Sequence, residues 1–573
     1  MKSATVFLLM IAPLVVWAAD GPWPADVPGH VPIEAREHPR LLFRKADLPE
    51  LRKRAATPAG KEILDRLRKQ LNGGDGESMP QAYNPVVGEA AGDGTGDFGK
   101  NAPDGAYTFS HAAGFGLLYQ LTGDKKYADL GRQCMEKALE GVRDRDNRYA
   151  FKHPYGALRA GPSLGWTALG YDLCYDGWDE AFQRKMTDAL FNYAGSSKKS
   201  EFDLEYLVKG KRHFPASNHW SMQVGGGAMA LLAVMGDPGT DEKKVAALLK
   251  ESERAMIRNV TEGFGDGGYF AEGDGTGSMA SHIIYLSALQ AWKNAAGKDF
   301  ISPRPNVQWT YLKWFLQTVP KGGDLAGGFA GRGGYPHNIW ARDGISGAGY
   351  CSIGYGVATE EQIPGIWWFY KEHLHEADEK HGAPWDTVSP YPHHSVIAFV
   401  NTPFGVEPKN PADCMPRQVY DSIRGFYAFR NRSKDGNDIV ITQLVRRSPA
   451  RFRHGPDKAM TIQHHGKREL WGSLPPKAEV RKPGKDGSTI LGDGKMSVAI
   501  DFSGASGADG MIVFVGSGAP SGRIVEAGGQ KFVFKFLTGG AEPEPKVSGA
   551  SVIAGKQTVS YSDGAIVLGV FHD

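Results

Sequence analysis

Residues 212–221 read Arg-His-Phe-Pro-Ala-Ser-Asn-His-Trp-Ser, and a run of apolar residues at helical spacing follows them. Ser217 and Asn218 are residue types that cap helix N-termini, and a glycine followed by a proline ends the apolar pattern. The stretch therefore predicts a helix from Asn218 to Met235 with His219 in its first turn. The helix macrodipole disfavours a charged imidazole there, so we expect His219 to be neutral and able to accept a proton.

Residues 266–275 read Asp-Gly-Gly-Tyr-Phe-Ala-Glu-Gly-Asp-Gly, which is too rich in glycine for the interior of a helix or strand. We predict a loop that reaches a surface or a cleft. Ser278 then caps a helix predicted to end at Ala296. One face of this helix combines imidazole, phenol and indole groups, a composition that suits a sugar-binding cleft. Its residues are His282, Tyr285, Leu289 and Trp292.

Helical patterns follow one another through the first part of the chain, and most connections are short and carry Gly or Pro. Helix pairs in series, without strand patterns between them, are typical of an α/α toroid, an incomplete barrel whose concave face supplies a groove. The predicted helices are Ser110 to Leu121, Lys125 to Gly141, Pro162 to Tyr175, Trp178 to Tyr193, Asn218 to Met235, Asp241 to Val260, Ser278 to Ala296 and Pro305 to Val319.

Beyond about Tyr391, short β-branched or aromatic runs alternate with turn residues, which predicts an antiparallel β-sandwich. The predicted strands are Ser395 to Val400, Asp438 to Val445, Met496 to Asp501, Met511 to Val515, Lys531 to Phe536 and Ala565 to Phe571. The predicted fold class is therefore α+β multidomain, with the toroid over residues 19–385 and the β-sandwich over residues 386–573.

Residues 1–18 have the features of a secretory signal peptide: Lys2, an apolar run, and a small-residue cleavage signal that ends at Ala18. No other apolar run approaches the roughly 20 residues that span a bilayer. We therefore predict export to the periplasm or the extracellular space, without a membrane span. The 66 Lys and Arg residues nearly balance the 64 Asp and Glu residues, so no global field points to a nucleic-acid partner.

The four cysteines are widely spaced and form no CxxC pair; they are Cys134, Cys174, Cys351 and Cys414. An exported protein can pair them in disulfides. Cys134 and Cys174, however, lie in apolar helical patterns, which favour buried free thiols. No cysteine stands in a zinc-ligand pattern.

The order of these motifs resembles the heparinase II/III-like polysaccharide lyases, a superfamily that includes certain alginate lyases. The resemblance covers nearly the whole mature chain: His-Pro-Arg-Leu-Leu-Phe at 38–43, the helix pairs, Asn218-His219, the Asp-Gly-Gly-Tyr loop with Glu-Gly, and the β-rich end. It implies a secreted enzyme that cleaves an acidic, uronic-acid-containing polysaccharide by β-elimination and requires no cofactor.

The resemblance also implies roles for individual residues. Asn218 matches the amide that neutralises the substrate carboxylate, and His219 matches the base or its partner in proton transfer. A tyrosine normally completes the set, and Tyr269 is the first candidate. Relatives tend to carry a tyrosine a few residues after Glu-Gly, where this chain has Asp-Gly-Thr-Gly at 274–277. The other candidates for this role are Tyr285 and Tyr335.

Several side chains are candidates for holding the substrate, although each alone is also consistent with a surface or packing role. Arginine presents a planar fork that suits carboxylate or sulfate groups, and tryptophan stacks on sugar rings. The candidates are Arg159, Arg212, Trp220, Glu272, Arg332, His337 and Arg342.

The β-rich part contains His-Gly-Pro-Asp at 454–457 and Gln-His-His-Gly at 463–466. These stand near the place where relatives carry a His and Asp cluster that binds zinc in some members. His454, Asp457 and His464 are therefore candidate ligands of a structural zinc ion. The proline after Gly455 departs from the usual His-Gly-His pattern.

Two other functions stay open at this stage. Toroids of this kind also host glycoside hydrolases, and Asp266, Glu272 and Asp274 offer the carboxylates that hydrolysis needs. A non-catalytic glycan-binding protein is the second alternative. The sequence leaves open whether the polymer is alginate, a glycosaminoglycan or ulvan-like, and it leaves open endo or exo action, sulfation and the oligomeric state.

Overall fold

The computed structural model describes residues 23–89, 92, 94–272, 274–304, 318–321, 324–327, 354–373, 375, 389–446, 455–503 and 507–573, with the backbone alone at 274–283, 318, 320–321, 324–327 and 373. The proposed signal peptide lies outside these residues. None of the helices in these ranges has the length and apolar character that crossing a membrane requires. Cys134 and Cys174 are buried free thiols, as predicted. Cys414 is a half-buried free thiol, and Cys351 lies outside the described ranges.

The predicted α+β architecture is confirmed: a helix-rich N-terminal part, not closed into a barrel in the described residues, precedes antiparallel sheets. Most predicted helices start and end within a few residues of the observed ones, because side-chain caps such as Asp124, Asp179 and Asp241 accept N–H groups of the first turn. The helices are α1 Leu48–Ala55, α2 Pro58–Asn72, α3 Gly96–Asn101, α4 His111–Thr122, α5 Lys125–Glu140, α6 Ala157–Cys174, α7 Glu180–Phe191, α8 Leu204–Val208, α9 Asn218–Val234, α10 Glu242–Arg258, α11 Asp274–Ala296, α12 Ile363–His373, α13 Pro392–Asn401 and α14 Pro411–Cys414.

Three short strand pairs accompany the helices: β1 Ala25–Asp26 with β4 Lys298–Asp299, β2 Ala194–Ser197 with β3 Ser200–Asp203, and β5 Thr318–Lys321 with β6 Asp324–Gly327. The helix predicted from Pro305 to Val319 lies mostly outside the described residues. Its predicted end falls in β5, so that boundary is wrong.

The inner helices α6 and α9 run parallel and touch through glycines. A Cβ atom on Gly161 would lie 2.0 Å from Met222 O, and a Cβ atom on Gly165 would lie 3.0 Å from Gly226 Cα. Successive contacts therefore lie further toward the C-terminus on both helices, which shows that the two helices run in the same direction. Because no side chain separates the two backbones here, the first turns of α6 and α9 lie side by side.

Residues 38–43 contact the C-terminal ends of two inner helices, α6 and α11. The N–H groups of Arg40 and Leu41 each donate to the carboxylate of Asp172 near the end of α6, at 3.0 Å. Leu41 O accepts from Asn294 Nδ2 near the end of α11, also at 3.0 Å. Since one short segment holds these ends, the N-terminal ends of the inner helices lie together on the opposite side of the ring.

A buried ionic cluster fixes this arrangement. His38 contacts Asp172 through Nδ1 at 2.8 Å and Asp237, just after α9, through Nε2 at 3.0 Å. Arg40 Nη2 lies 2.9 Å from Asp237 Oδ1, and the Tyr171 hydroxyl donates to Asp237 Oδ2 at 2.6 Å. None of the five side chains is more than 2% exposed. The cluster therefore ties α6 and α9 to the N-terminal segment inside the protein.

The C-terminal part consists of three antiparallel sheets. The five-stranded sheet has β7 Gln418–Asp421, β8 Phe426–Arg430, β9 Val440–Leu444, β10 Met460–His464 and β11 Lys467–Trp471 in sequential order. The six-stranded sheet has β12 Glu479–Pro483, β13 Thr489–Gly492, β14 Met496–Asp501, β15 Gly510–Gly516, β17 Gln530–Leu537 and β16 Arg523–Ala527 in that order. The four-stranded sheet has β18 Lys546–Ser548, β19 Ser551–Ala554, β20 Gln557–Ser562 and β21 Ala565–Leu568.

These sheets stack in three layers, one more than a simple sandwich. Val498 and Ile500 of β14 pack in a core with Phe429 of the five-stranded sheet. Ala499, between them in sequence, packs in another core with Val559 of the four-stranded sheet. Because alternate residues of a strand point to opposite faces, the six-stranded sheet is buried on both sides, which explains its continuous apolar runs.

The strand predicted at Ser395 to Val400 is wrong, because this run lies within helix α13. Pro392 occupies the first helical position, where its fixed φ angle favours a helix. The residues of α13 from Pro392 to Phe399 are all buried, so the helix shows no amphipathic period and its β-branched run looks like a buried strand.

We predict that Asp237→Asn destabilises the protein by about 3–5 kcal/mol at pH 7, because removing one partner of a buried charge cluster leaves the others uncompensated. Burial alone would raise the pKa of Asp237, but hydrogen bonding from His38 and the charges of His38 and Arg40 lower it below the usual 3.8. A depressed pKa stabilises the fold above the unfolded value, and this contribution is lost as pH falls below about 4.

Thermal unfolding followed by circular dichroism should therefore show a large difference between parent and Asp237→Asn at pH 7 that shrinks at pH 3.5. Asp176→Asn is the control, because Asp176 forms an ion pair with Lys45 at the surface. Equal melting temperatures for parent and Asp237→Asn at pH 7 would contradict the structural role of the cluster.

Candidate active site

Glu272 holds the first residue of α9. Its Oε2 accepts the N–H of Asn218 at 3.0 Å, and its side chain is fully buried. The carboxyl group is enclosed and satisfies a helix-terminal N–H, and the proposed substrate role of Glu272 stays a prediction. Burial raises the pKa of Glu272 to about 7, since the hydrogen bonds from Asn218 and Ser217 offset only part of the desolvation.

Asn259 holds the approach to the same helix end. The π-helical turn Asn259–Gly263, which follows α10, places this side chain under the loop before α9. Its Nδ2 donates to Pro215 O at 2.8 Å, and its Oδ1 accepts from Ser221 Oγ at 3.1 Å. Sequence analysis did not single out Asn259, because a π turn has no distinct sequence period.

His219 lies half-buried in the first turn of α9, with its ring 4.6 Å from the ring of His213. Burial, His213 and Arg159 together lower the pKa of His219 from 6.5 to about 4. The imidazole is therefore neutral at neutral pH and can accept a proton. Asn218 beside it is 8% exposed, so an edge of this residue rather than its whole side chain faces the solvent.

Arg159, in the first turn of α6, carries a positive charge toward this position. Its Nη1 donates to the hydroxyl of Tyr149 at 2.8 Å, and its guanidinium lies 5.1 Å from the centre of the Tyr149 ring. Both side chains are half-buried. The sequence pointed to Arg159 but not to Tyr149, which lies in the loop before α6 and carries no spacing signal that relates it to His219.

Tyr285 and Tyr269 are both fully buried and do not lie in the exposed part of this region. The Tyr285 hydroxyl donates to Met256 O at 2.9 Å, and this side chain lies in the core rather than on an exposed helix face. Tyr269 is fully buried and its ring stacks on Phe426 of β8 at 4.6 Å. Both side chains are fully buried among the described residues, and their proposed role as the acid stays a prediction.

Trp220 lies in the core, whereas Arg212 lies at the surface. Trp220 is 3% exposed, and its Nε1 donates to Ala255 O at 3.1 Å, so it packs between α9 and α10 and cannot stack on substrate. Arg212 is exposed and its guanidinium binds Lys199 O and Ser200 Oγ of the β2–β3 hairpin. The proposed substrate role of Arg212 stays a prediction.

Asp266 of the glycine-rich loop binds the β7–β8 turn rather than a cleft. Its carboxylate accepts from Ser422 Oγ at 2.6 Å and from Ile423 N–H at 3.1 Å. A hydrolase needs two carboxylates that face the scissile bond. Of the three carboxylates proposed for that role, Asp266 joins the two domains, Glu272 is enclosed, and the side chain of Asp274 is not described.

Asp457 and His464, two of the three proposed zinc ligands, lie apart in the structure. Asp457 Oδ2 accepts from Leu444 N–H at 2.8 Å before β10 begins, whereas His464 ends β10 and lies 2.9 Å from Glu469 Oε1. The steps along β10 alone span about 13 Å, which is too far for one ion to reach both ends. The described residues contain no group of three side chains that could hold a metal.

Five predicted site residues lie outside the described residues: Arg332, Tyr335, His337, Arg342 and His454.

The guanidinium of Arg159 and the N-terminus of α6 make this region positive, whereas the Glu272 carboxyl already accepts an N–H group at the N-terminus of α9. Each helix N-terminus carries a partial charge of about +0.5, and these two ends lie side by side because the helices are parallel. In the part of the chain that the structure describes, Arg159 pairs with a tyrosine hydroxyl rather than with a carboxylate. This end of the ring is therefore suited to an anion, and His219 supplies a proton acceptor beside it.

No protein family model matches the chain, and no curated protein matches it. The chain is similar to the solved structure of the heparan sulfate lyase HepC from Pedobacter heparinus, with 11% identity over 90% of this chain and 80% of that chain and a TM-score of 0.37. A crystal structure of heparinase III is 10% identical over 88% of this chain and 81% of that chain, with a TM-score of 0.36. A mutant of the chondroitin AC lyase of Streptomyces coelicolor A3 is 10% identical over 90% of this chain and 75% of that chain, with a TM-score of 0.40. At these identities and TM-scores the similarity assigns no activity.

We predict that Glu272→Gln changes stability in a pH-dependent way. A carboxyl group whose pKa is raised to about 7 in the fold disfavours folding progressively as pH rises above its unfolded pKa, because ionisation is costly where the group is buried. Glutamine keeps the oxygen that accepts the Asn218 N–H and cannot ionise. The melting temperature of the variant relative to the parent should therefore be higher at pH 8 than at pH 5. A difference that is the same at both pH values would contradict a buried, titrating Glu272.

Proposed function

We propose that the protein is an exported polysaccharide lyase that cleaves a uronic-acid-containing polymer by β-elimination. The observation that supports this proposal is an imidazole with a lowered pKa, His219, which follows Asn218 in the first turn of α9, while Arg159 lies in the first turn of the neighbouring helix α6. This arrangement combines a proton acceptor with groups that stabilise negative charge. Elimination next to a carboxylate needs both.

The reaction begins with a C5 hydrogen that is only weakly acidic, because the neighbouring carboxylate is already negative. In the proposed mechanism, the side chain of Asn218, the guanidinium of Arg159 and the N-terminus of α6 bind the carboxylate and stabilise the charge that develops as the C5 proton leaves. His219 takes that proton. The electron pair of the C5–H bond forms the C4–C5 double bond, the C4–O bond breaks, and the leaving oxygen takes up a proton.

Hydrolysis has less support, because two of its three candidate carboxylates hold the structure together. A glycan-binding protein without activity needs no proton acceptor, whereas the low pKa of His219 keeps one available over a wide pH range. The proposal includes export, which rests on the leader-like residues 1–18.

We predict that His219→Ala and Asn218→Ala each lower the rate of elimination by about 10²–10⁴-fold, the usual contribution of a positioned proton acceptor or charge-stabilising group. The measurement is the ultraviolet absorbance of the unsaturated uronate product on a panel of alginate, glycosaminoglycan and ulvan-type polymers. His30→Ala is the control, because His30 binds Asn294 O at the opposite end of the inner helices. Cleavage of polymer without the absorbance would establish hydrolysis instead. Full activity in both variants would show that Asn218 and His219 are not the catalytic residues.

We predict that kcat/KM stays constant from pH 7 to about pH 5 and falls only as His219 becomes protonated near pH 4. A histidine with the usual pKa of 6.5 would give a decrease that begins two pH units higher. Circular dichroism at each pH separates protonation from unfolding. A decrease centred near pH 6.5 in the folded protein would show that the base is not the partly buried His219.

A further inference from the structure

We propose that Tyr149 is the general acid that protonates the leaving oxygen, with Arg159 as the group that positions it. This inference rests on the proposed elimination reaction. It names a residue that sequence analysis did not single out.

The geometry around Arg159 supports this role. Its Nη1 holds the Tyr149 hydroxyl at 2.8 Å, and its charge is close enough to His219 to disfavour the imidazolium. Arg159 thus contacts the phenol, and it lies in the first turn of α6 beside the first turn of α9, which carries His219. The contact of Gly161 with Met222, two and three residues further along the two helices, keeps this spacing.

The loop that carries Tyr149 is fixed before any substrate binds. The Tyr149 N–H donates to Asp146 O at 3.0 Å, and the Tyr149 carbonyl accepts from Asp144 N–H at 3.2 Å. Asp146 in turn holds Arg148 through a carboxylate contact of 2.6 Å. A phenol on a fixed backbone loses little entropy when it meets a substrate, which favours proton transfer at a set place.

The surroundings of Tyr149 suit an acid rather than a base. Burial raises the pKa of its phenol, which keeps the hydroxyl protonated at neutral pH, whereas Arg159 stabilises the phenolate that forms after transfer. His219, with its lowered pKa, is suited to the opposite task. Residues whose environments move their pKa values apart in this way divide acid and base work between them.

The step balances as follows. The O–H bond of Tyr149 breaks as the C4–O bond of the substrate breaks, and the leaving oxygen takes the proton. Tyr149 becomes a phenolate held by Arg159, and His219 becomes an imidazolium with the C5 proton. Transfer of that proton to the phenolate through water restores both residues, so no oxidant, reductant or cofactor takes part.

The test compares two substrates on Tyr149→Phe. On natural polymer the variant should lose about 10²–10⁴-fold in kcat with little change in KM, because phenylalanine keeps the ring but has no proton to give. On a uronide that carries fluoride at C4, the leaving group needs no proton. The same variant should then approach the parent rate, whereas His219→Ala should stay slow on both substrates.

Tyr155→Phe is the matched control, because Tyr155 lies in the same loop and is 41% exposed. It should act as the parent on both substrates. Parent-like activity of Tyr149→Phe on polymer would overturn the inference while leaving the elimination intact. An equal loss on both substrates, with an unchanged melting temperature, would overturn it too, because it would assign Tyr149 to another step. Absence of unsaturated product from the parent would instead count against the proposed function.

Discussion

The buried ionic cluster formed by His38, Arg40, Asp172 and Asp237 is the constraint on which the helical part depends. It joins the N-terminal segment to the C-terminal ends of two inner helices. Burying four ionisable side chains is costly, and the cost is met only when each group finds its partners in one geometry. Other helix registers would leave a buried charge without its partner, so the cluster favours a single arrangement.

The consequence of that constraint appears at the other end of the ring. When parallel helices are aligned at their C-termini, their N-termini are aligned as well. Contacts through Gly161 and Gly226 then bring the backbones of α6 and α9 within touching distance, where a side chain on either residue would clash. Arg159 and His219 become neighbours although sixty residues separate them in the chain. The candidate site is thus positioned by interactions on the far side of the domain.

The loop at 265–272 links the site to the sheets. At its start, Gly265 and Gly267 lie against β7, where a Cβ on Gly265 would lie 1.9 Å from an Asp421 carboxylate oxygen. The N–H of Tyr269 donates to the same carboxylate at 2.8 Å. At its end, Glu272 caps the helix that carries His219. The short path between these contacts means that the docking of the sheet domain and the position of the proposed base depend on one segment.

The sequence by itself determined most of the helices and strands, and it placed the candidate residues Asn218 and His219 at the start of one helix. Caps at Asp124, Ser217 and Asp241 set helix starts, short β-branched or aromatic runs set most strands, and the cap at Ser217 placed His219 in the first turn of a helix. These signals are local, so a single stretch contains them. Tertiary structure decided the rest: it buried Glu272, turned a β-branched run into a helix, and placed Tyr149 against Arg159. Such outcomes depend on which surfaces meet after distant segments pack, and no local spacing encodes that.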